Sequence, residues 1–479
     1  MNIFNLIAIN IIDIFILYFN ISILQDQYYS NKRYILFKKD KIKNNLFLYS
    51  LYIPLLIIAT ILPLYFEFTS FLALLLPLFS LIITTKRKLI ITRRSIILLL
   101  VSIIILFSLN ITYYLLLPYF YIFIESTIIS YLIVVLISNL FDLPIEKLIQ
   151  RHYYLITKKK LASSRDLKII GITGSYGKTT VKYFLKQTLG DINPLSTDKN
   201  INTPMGLCRF INENLSVFDH YLIIELGVDE VRGMKKFKKF LKLDYAIITS
   251  VGMQHIRTFK TLDNIKKEKQ SIQDLLKPGG ILFYNADTLE ILEKKKEIQY
   301  VPIKESDYSV LDSNTIKTNE TKIKLPLLTR HLIFDAYLSY IVSLNFISKE
   351  RLCAIMPNIT LPERRKRIYQ KESLIVIDDS YNINLESVKD DIELMKQFKK
   401  PYQIVSSGLA EINNNKDMLK TFFEQLNQAD SIIYTRKLSK SEKEIIYSLK
   451  IKDKIKFKKR YIKEGTLLIL TFGTSTTLR

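Results

Sequence analysis

The sequence predicts an N-terminal α-helical transmembrane domain followed by two α/β domains, the first built on a phosphate-binding loop and a parallel sheet. Three observations carry that expectation. Long apolar runs crowd into the first 145 residues. From Leu167 onward, short apolar strands alternate with helical stretches. A glycine turn ending in Lys-Thr-Thr joins the first such strand to the first such helix. The expected boundaries are 1–145 for the membrane domain, 146–358 for the central domain and 359–479 for the C-terminal domain.

In the N-terminal part, the runs 3–24, 46–66, 68–85, 95–117 and 119–141 have the length and apolarity of bilayer spans. Asp13 and Glu125 interrupt the first and last. The loops around them alternate in charge. Lys32, Arg33, Lys38, Lys39, Lys41 and Lys43 fall in one, and Lys86, Arg87, Lys88, Arg93 and Arg94 in another. Lys147, Arg151 and residues 158–160 follow the last run. The other two turns hold neither Lys nor Arg, so the asymmetry places everything after residue 141 in the cytoplasm of a multi-pass protein of a bacterial inner membrane. The formal charge is +24, from 69 Lys and Arg against 45 Asp and Glu. Scattered lysines without interleaved aromatic motifs argue against nucleic acid, and basic residues beside apolar runs suit anionic membrane lipid. Cys208 and Cys353 stand far apart, in no metal-ligand spacing, which fits a reducing compartment.

The run 168–173 reads as a strand, and Val181 opens a helical stretch. Between them lie Gly174, Ser175, Tyr176, Gly177, Lys178, Thr179 and Thr180. Glycines there let backbone N–H groups turn around phosphate oxygens, and the helix N-terminus adds positive potential. Lys178 would reach the outer phosphates, and Thr179 or Thr180 would hold Mg²⁺. Position 172 is Ile, so the usual Gly-x4-Gly-Lys-Thr spacing fails. Further along, Leu-Ile-Ile-Glu225 and Ile-Ile-Thr-Ser-Val-Gly-Met-Gln-His255 are strand-like runs that end on polar groups. A carboxylate at the C-terminal end of a parallel strand sits where open α/β sheets bind ligands.

The form Thr-Gly-x-x-Gly-Lys-Thr-Thr resembles the Mur ligases and their folylpolyglutamate synthetase relatives. Residues 202–206, Asn-Thr-Pro-Met-Gly, resemble the family's Asn-Thr-x-x-Gly turn. The run 378–384, Asp-Asp-Ser-Tyr-Asn-Ile-Asn, resembles the MurF branch, which adds D-Ala-D-Ala to a nucleotide-linked muramyl tripeptide. The match covers about residues 165 to 420. It implies Mur ligase central and Rossmann-like C-terminal domains, with ATP and Mg²⁺ as the cofactors.

The resemblance also implies site residues. Glu225 and His255 would hold metal together with Thr179 and a carbamylated Lys269. Asn285, Asp335 and an arginine would contact ATP. Arg365 is favoured by spacing, with Arg364 and Arg367 as alternatives. Asn202, Thr203, Asp378, Asn382 and Asn384 would contact substrate, and Asp379 would join Lys178 in catalysis. Here Asp335 stands where the family usually has Asn, and the family's soluble uridine-nucleotide domain gives way to the apolar N-terminal runs. Partners would be the muramyl tripeptide precursor, D-Ala-D-Ala, membrane lipid and, through the membrane domain, cell-wall synthesis proteins. Rival readings are a membrane-bound ligase for another acceptor, of the poly-glutamate kind, and a non-catalytic nucleotide sensor.

Overall fold

A computed structural model describes residues 3–44, 88–116, 128–164, 166–198, 200–291, 293–312, 314–319, 321–326, 328–362, 367–380, 385–408, 416–457, 462 and 464–470. The chain divides into two compact units, 1–152 and 153–479.

The described residues of the first unit are mainly helical: α1 (Ile3–Asp26), α2 (Asn31–Asn44), α3 (Arg93–Leu116) and the start of α4 (Ile128–Ser163). Here the structure corrects the sequence. Among the described residues, no helix is long and apolar enough to cross a membrane. The transmembrane domain and the multi-pass inner-membrane placement therefore do not stand. Apolar length suggested the spans, whereas in the described helices part of each run packs into a shared cluster and part, such as Leu100, Ile104 and Phe107, stays exposed. Ile16, Leu17, Ile21, Leu98, Leu106, Tyr131 and Val134 form one cluster. Its seams carry polar pairs. The Tyr34 hydroxyl donates to Asn20 (2.7 Å), Ser102 to Ser138 (2.9 Å), and Arg94 pairs with Asp142 (2.8 Å). Nor does the last run end at 141: α4 continues through Pro144 and takes Lys147, Arg151 and residues 158–160 into the same helix. Runs 46–66 and 68–85, the region around Glu125 and the side chain of Asp13 lie outside the described residues.

The second unit begins with a six-stranded sheet, all parallel, in the order β2-β3-β1-β4-β5-β6. Its elements are β1 (Lys168–Thr173), α5 (Lys178–Thr188), β2 (Leu195–Ser196), α6 (Pro204–Asn214), β3 (Tyr221–Glu225), β4 (Leu243–Ile248), α7 (Leu262–Gln270), β5 (Leu276–Asn285) and β6 (Gln299–Ile303). The near-continuous apolar runs are what a sheet covered on both faces requires. Alternate residues go to opposite faces. Ile169, Leu222, Ile224, Ala246 and Leu282 join one core, whereas Ile170, Ile223, Ile247 and Phe283 join the other. A small antiparallel sheet follows, β7 (Tyr308–Asp312), β8 (Thr315–Thr318) and β9 (Lys322–Lys324), then α8 (Arg330–Ser343) and α9 (Lys349–Ile355). Helix α8 packs against α5.

The last part holds β10 (Arg367–Lys371), β11 (Leu374–Asp378), α10 (Leu385–Gln397), β12 (Tyr402–Ser406), α11 (Lys416–Leu426), β13 (Ser431–Tyr434), α12 (Lys440–Ser448), β14 (Ile455–Lys456) and β15 (Gly465–Leu470). Its sheet runs β10-β11-β15-β12-β13-β14, parallel except for β10. The expected pair of parallel-sheet α/β layers is therefore present.

One buried ion pair fastens this sheet to α12. The fully buried Glu442 accepts hydrogen bonds from Arg436 Nη1 (2.9 Å), the Tyr434 hydroxyl (2.6 Å) and the Ser439 amide (2.7 Å). Burial pushes its carboxyl upward, but the bonds from Arg436, Tyr434 and Ser439 outweigh burial and hold it below its usual 4.5. The unfolded chain binds the extra proton as pH falls through that range, so this contribution is present above pH 4.5 and lost below. Glu442→Gln should cost about 2 kcal/mol at pH 7, read as a lower unfolding midpoint. It should also lose less stability than the parent between pH 4.5 and the folded value.

Candidate phosphate-binding site

Strand β1 lies between β3 and β4, so the turn after β1 emerges where the strand order reverses, with the ends of β3 and β4 on either side. That is the crevice in which open parallel sheets place ligands. Gly174 and Gly177 take φ of 146° and 84°, values that favour glycine. Space forbids a side chain as well. A Cβ on Gly174 would lie 2.0 Å from Thr249 Oγ1, and one on Gly177 would lie 2.6 Å from Asp335 Oδ1.

The loop is braced from the β4 side. The amides of Ser175 and Tyr176 donate to the Ser250 carbonyl (2.9 and 3.1 Å), and the Ser175 hydroxyl donates to the Gly252 carbonyl (3.0 Å). These two amides thus serve the fold instead of facing a ligand. The first helical bond of α5 runs from the Val181 amide to the Gly177 carbonyl. The amides of Lys178, Thr179 and Thr180 precede it, as the first donors of any helix do, and Gly177 offers no side-chain cap. An anion fits that end of the helix. Lys178 folds over the loop, donating to the carbonyls of Gly174 (2.7 Å) and Ser175 (2.9 Å).

Glu225 closes the other side. Its carboxylate is buried at the end of β3 and accepts from the Thr179 hydroxyl (3.0 Å) and from Asn202 Nδ2 (3.4 Å). Thr179, not the buried Thr180, is the hydroxyl bonded to this carboxylate. Lys182, one turn further along α5, sets its ammonium 3.7 Å from Glu225 Oε2. One hydroxyl beside one carboxylate suits Mg²⁺, which keeps several waters and shares phosphate oxygens. Among the described residues, no cluster of three His, Cys, Asp or Glu side chains could hold a metal.

Other expected residues take more varied places. Lys269 is buried, with its ammonium on the Val228 carbonyl (2.8 Å). Burial, and next the Lys178 charge, lower its pKa to about 7. His255 is exposed, at φ 57° just before a short helical turn. Asn285 holds Ser250 Oγ (3.1 Å) and receives the amides of Asp287 and Thr288, so it shapes the turn that braces the loop. Thr203 caps α6 through the Gly206 amide (3.2 Å). Asp335 on α8 is buried and sets its carboxylate against Gly177. Asp378 accepts the Ser380 amide (3.1 Å), while Asp379 is buried with Oδ2 lacking a hydrogen-bond partner among the described residues. Arg365, Asn382 and Asn384 fall outside the described residues.

Sequence reasoning missed Thr249, whose hydroxyl bonds the Thr173 carbonyl at 3.2 Å, and Lys182. The second left a signal: it lies four residues after Lys178, on the same helical face. A cleft of about 680 Å³ is lined by Glu305, Tyr308, Thr329, Arg330, Asp390 and Glu393 among others. His331 Nδ1 meets the Asp390 carboxylate there, joining the start of α8 to α10.

Residues 172–343 match the Mur ligase middle domain family. The UDP-N-acetylmuramoyl-tripeptide–D-alanyl-D-alanine ligase of Buchnera aphidicola from Acyrthosiphon pisum is 26% identical over 276 residues, which is 52% of this chain and 60% of that protein. The ligase of the same name from Escherichia coli is 24% identical, covering 58% of this chain and 66% of that protein. This chain thus spans less than two thirds of either relative. Among solved structures, MurF from Acinetobacter baumannii superposes with a TM-score of 0.58 at 20% identity, over 67% of this chain and 77% of that one. A MurF ligase from Thermotoga maritima in complex with ADP gives 0.56 at 18% identity, over 67% and 80%. These likenesses establish a shared fold.

Lys269 gives this site a pH signature. Between about pH 7 and its ordinary 10.5, the unfolded lysine holds a proton that the folded one has released. Stability should therefore rise with pH across that window. Denaturation at pH 6.5 and 9 should show the rise in the parent and a flatter profile in Lys269→Met.

Proposed function

We propose that this chain, whose residues 172–343 are a Mur ligase middle domain, is an ATP-dependent amide ligase of the MurF type. On this reading residues 146–358 bind ATP and residues 359–479 form the C-terminal domain. The reaction adds D-Ala-D-Ala to the muramyl tripeptide precursor. The observation that carries the reading is the Thr179–Glu225 hydrogen bond beside the start of α5, which has no side-chain cap, so that hydroxyl, carboxylate, lysine and first-turn amides gather around one point.

The α5 amides and Lys178 bind the ATP phosphates and neutralise charge as the γ-phosphoryl group leaves. To reach them, the Lys178 ammonium exchanges the Gly174 and Ser175 carbonyls for phosphate oxygens. Thr179 and Glu225 are the residues that would hold Mg²⁺, whose chemistry is to bridge and neutralise phosphate oxygens. The peptide carboxylate attacks the γ-phosphorus, giving an acyl phosphate and ADP. The amine of D-Ala-D-Ala then attacks the acyl carbon and expels phosphate as the amide forms.

Lys269 suits the carbamate that the family resemblance implies. Burial leaves much of it neutral near pH 7, and the neutral amine is the form that adds CO₂. Its anion would serve the site alongside Glu225, and His255 would join by a change in its exposed turn. Asp379, buried with an oxygen that has no hydrogen-bond partner among the described residues, and Asp378 are the C-terminal groups that would meet substrate, with Asn202 on the other side.

The direct assay is phosphate release and amide formation from ATP, nucleotide-linked muramyl tripeptide and D-Ala-D-Ala. Lys178→Ala should lower the rate roughly 100- to 1,000-fold, the usual effect of removing one preorganised charge-stabilising donor. Unchanged turnover in that variant, or turnover with glutamate in place of D-Ala-D-Ala, would overturn the assignment.

A further inference from the structure

The two lysines of the α5 face have different surroundings. Lys178 lies on loop carbonyls, whereas Lys182 is 5% exposed and turned toward the sheet edge. Its ammonium donates to Thr197 Oγ1 (3.3 Å) and to the Asp198 carbonyl (3.0 Å), and it stands 3.7 Å from Glu225 Oε2. A buried ammonium is costly unless charge and hydrogen bonds compensate it. Here they come from the carboxylate that also accepts from Thr179 and Asn202. Thr197 and Asp198 follow β2, so the seat is fixed by backbone next to β3.

We propose that Lys182 is a positioning residue that balances the charge of Glu225, so that a divalent cation binds well only when it arrives with a polyphosphate. This rests on the ligase reading given above. A carboxylate alone in a buried site would attract a free divalent cation strongly. With an ammonium 3.7 Å away the pair is locally neutral, and that attraction weakens. Nucleotide phosphates at the start of α5 supply the missing negative charge. Lys182 and Thr179 face the same carboxylate oxygen, Oε2, so the charge is balanced at the oxygen that the Thr179 hydroxyl already holds.

Mn²⁺ binding to the full chain, followed by electron paramagnetic resonance without nucleotide and then with ADP, tests this. Lys182→Met and Lys182→Gln should each bind free Mn²⁺ at least about tenfold more tightly than the parent, and ADP should improve their Mn²⁺ affinity less. The glutamine retains a donor for the Asp198 carbonyl and covers the case in which methionine prevents folding. Lys182→Arg, which retains the charge, should behave as the parent does. Adding Glu225→Gln to Lys182→Gln should abolish the gain. Unchanged free-Mn²⁺ affinity in the neutral variants, or a gain that survives Glu225→Gln, would overturn the proposal. If the parent binds Mn²⁺ with ADP while the neutral variants show no gain, the proposal fails and the ligase reading stands. If the parent binds no nucleotide with Mn²⁺, the ligase reading fails and this proposal fails with it.

Discussion

The hydrogen bond from Thr179 to Glu225 ties the start of a helix to the end of a neighbouring strand, and the arrangement of the site depends on it. It forms only because β1 runs directly beside β3, in parallel, with Ile172 level with Glu225. The chain then turns within Gly174–Gly177 to start α5 above that pairing. The turn requires two glycines at positive φ, one against Thr249 and one against Asp335. Packing on both faces fixes the sheet, and the sheet fixes the distance between a hydroxyl and a carboxylate. Phosphate chemistry needs that kind of rigidity, because its catalysis is positioning and charge stabilisation more than bond-making by the protein.

Charge is distributed around this point in an ordered way. Lys178 rests on loop carbonyls, Lys182 on Thr197 and the Asp198 carbonyl beside Glu225, and Lys269 on the Val228 carbonyl. Three lysines converge on one site, and each is held by a different acceptor. Lys178 contributes to lowering the pKa of Lys269, so the lysines influence one another before any phosphate is bound. On the opposite side, α8 carries Asp335 to Gly177 and His331 to Asp390 of α10. One helix therefore touches the phosphate loop and the C-terminal layer. That is the mechanical link a ligase needs if its C-terminal domain is to exclude water from an acyl phosphate.

Much of this was legible in the sequence. Glycines before Lys-Thr, a strand ending in Glu225 and apolar runs without alternation report local constraints that only a buried parallel sheet with a phosphate loop satisfies together. Asn285 and Thr203 were less legible. Both were assigned to ligands by resemblance, and their backbone roles, shaping the bracing turn and capping a helix, were not foreseen. Small polar side chains near turns serve the backbone as readily as they serve a substrate. The N-terminal helices misled for another reason. Hydropathy counts apolar residues without seeing the Asn20–Tyr34 and Ser102–Ser138 contacts, or that the last run continues as a charged helix. Lys182 was hidden among many lysines, because burial depends on tertiary packing.

The central claim is that a carboxylate is activated by phosphorylation before an amine attacks it. Isotope transfer tests that step without reference to any variant. With both oxygens of the reacting carboxylate of the muramyl tripeptide labelled with ¹⁸O, the account predicts that released phosphate carries one ¹⁸O atom per amide formed, read by mass spectrometry. Phosphate free of the label, with amide formed, would contradict it.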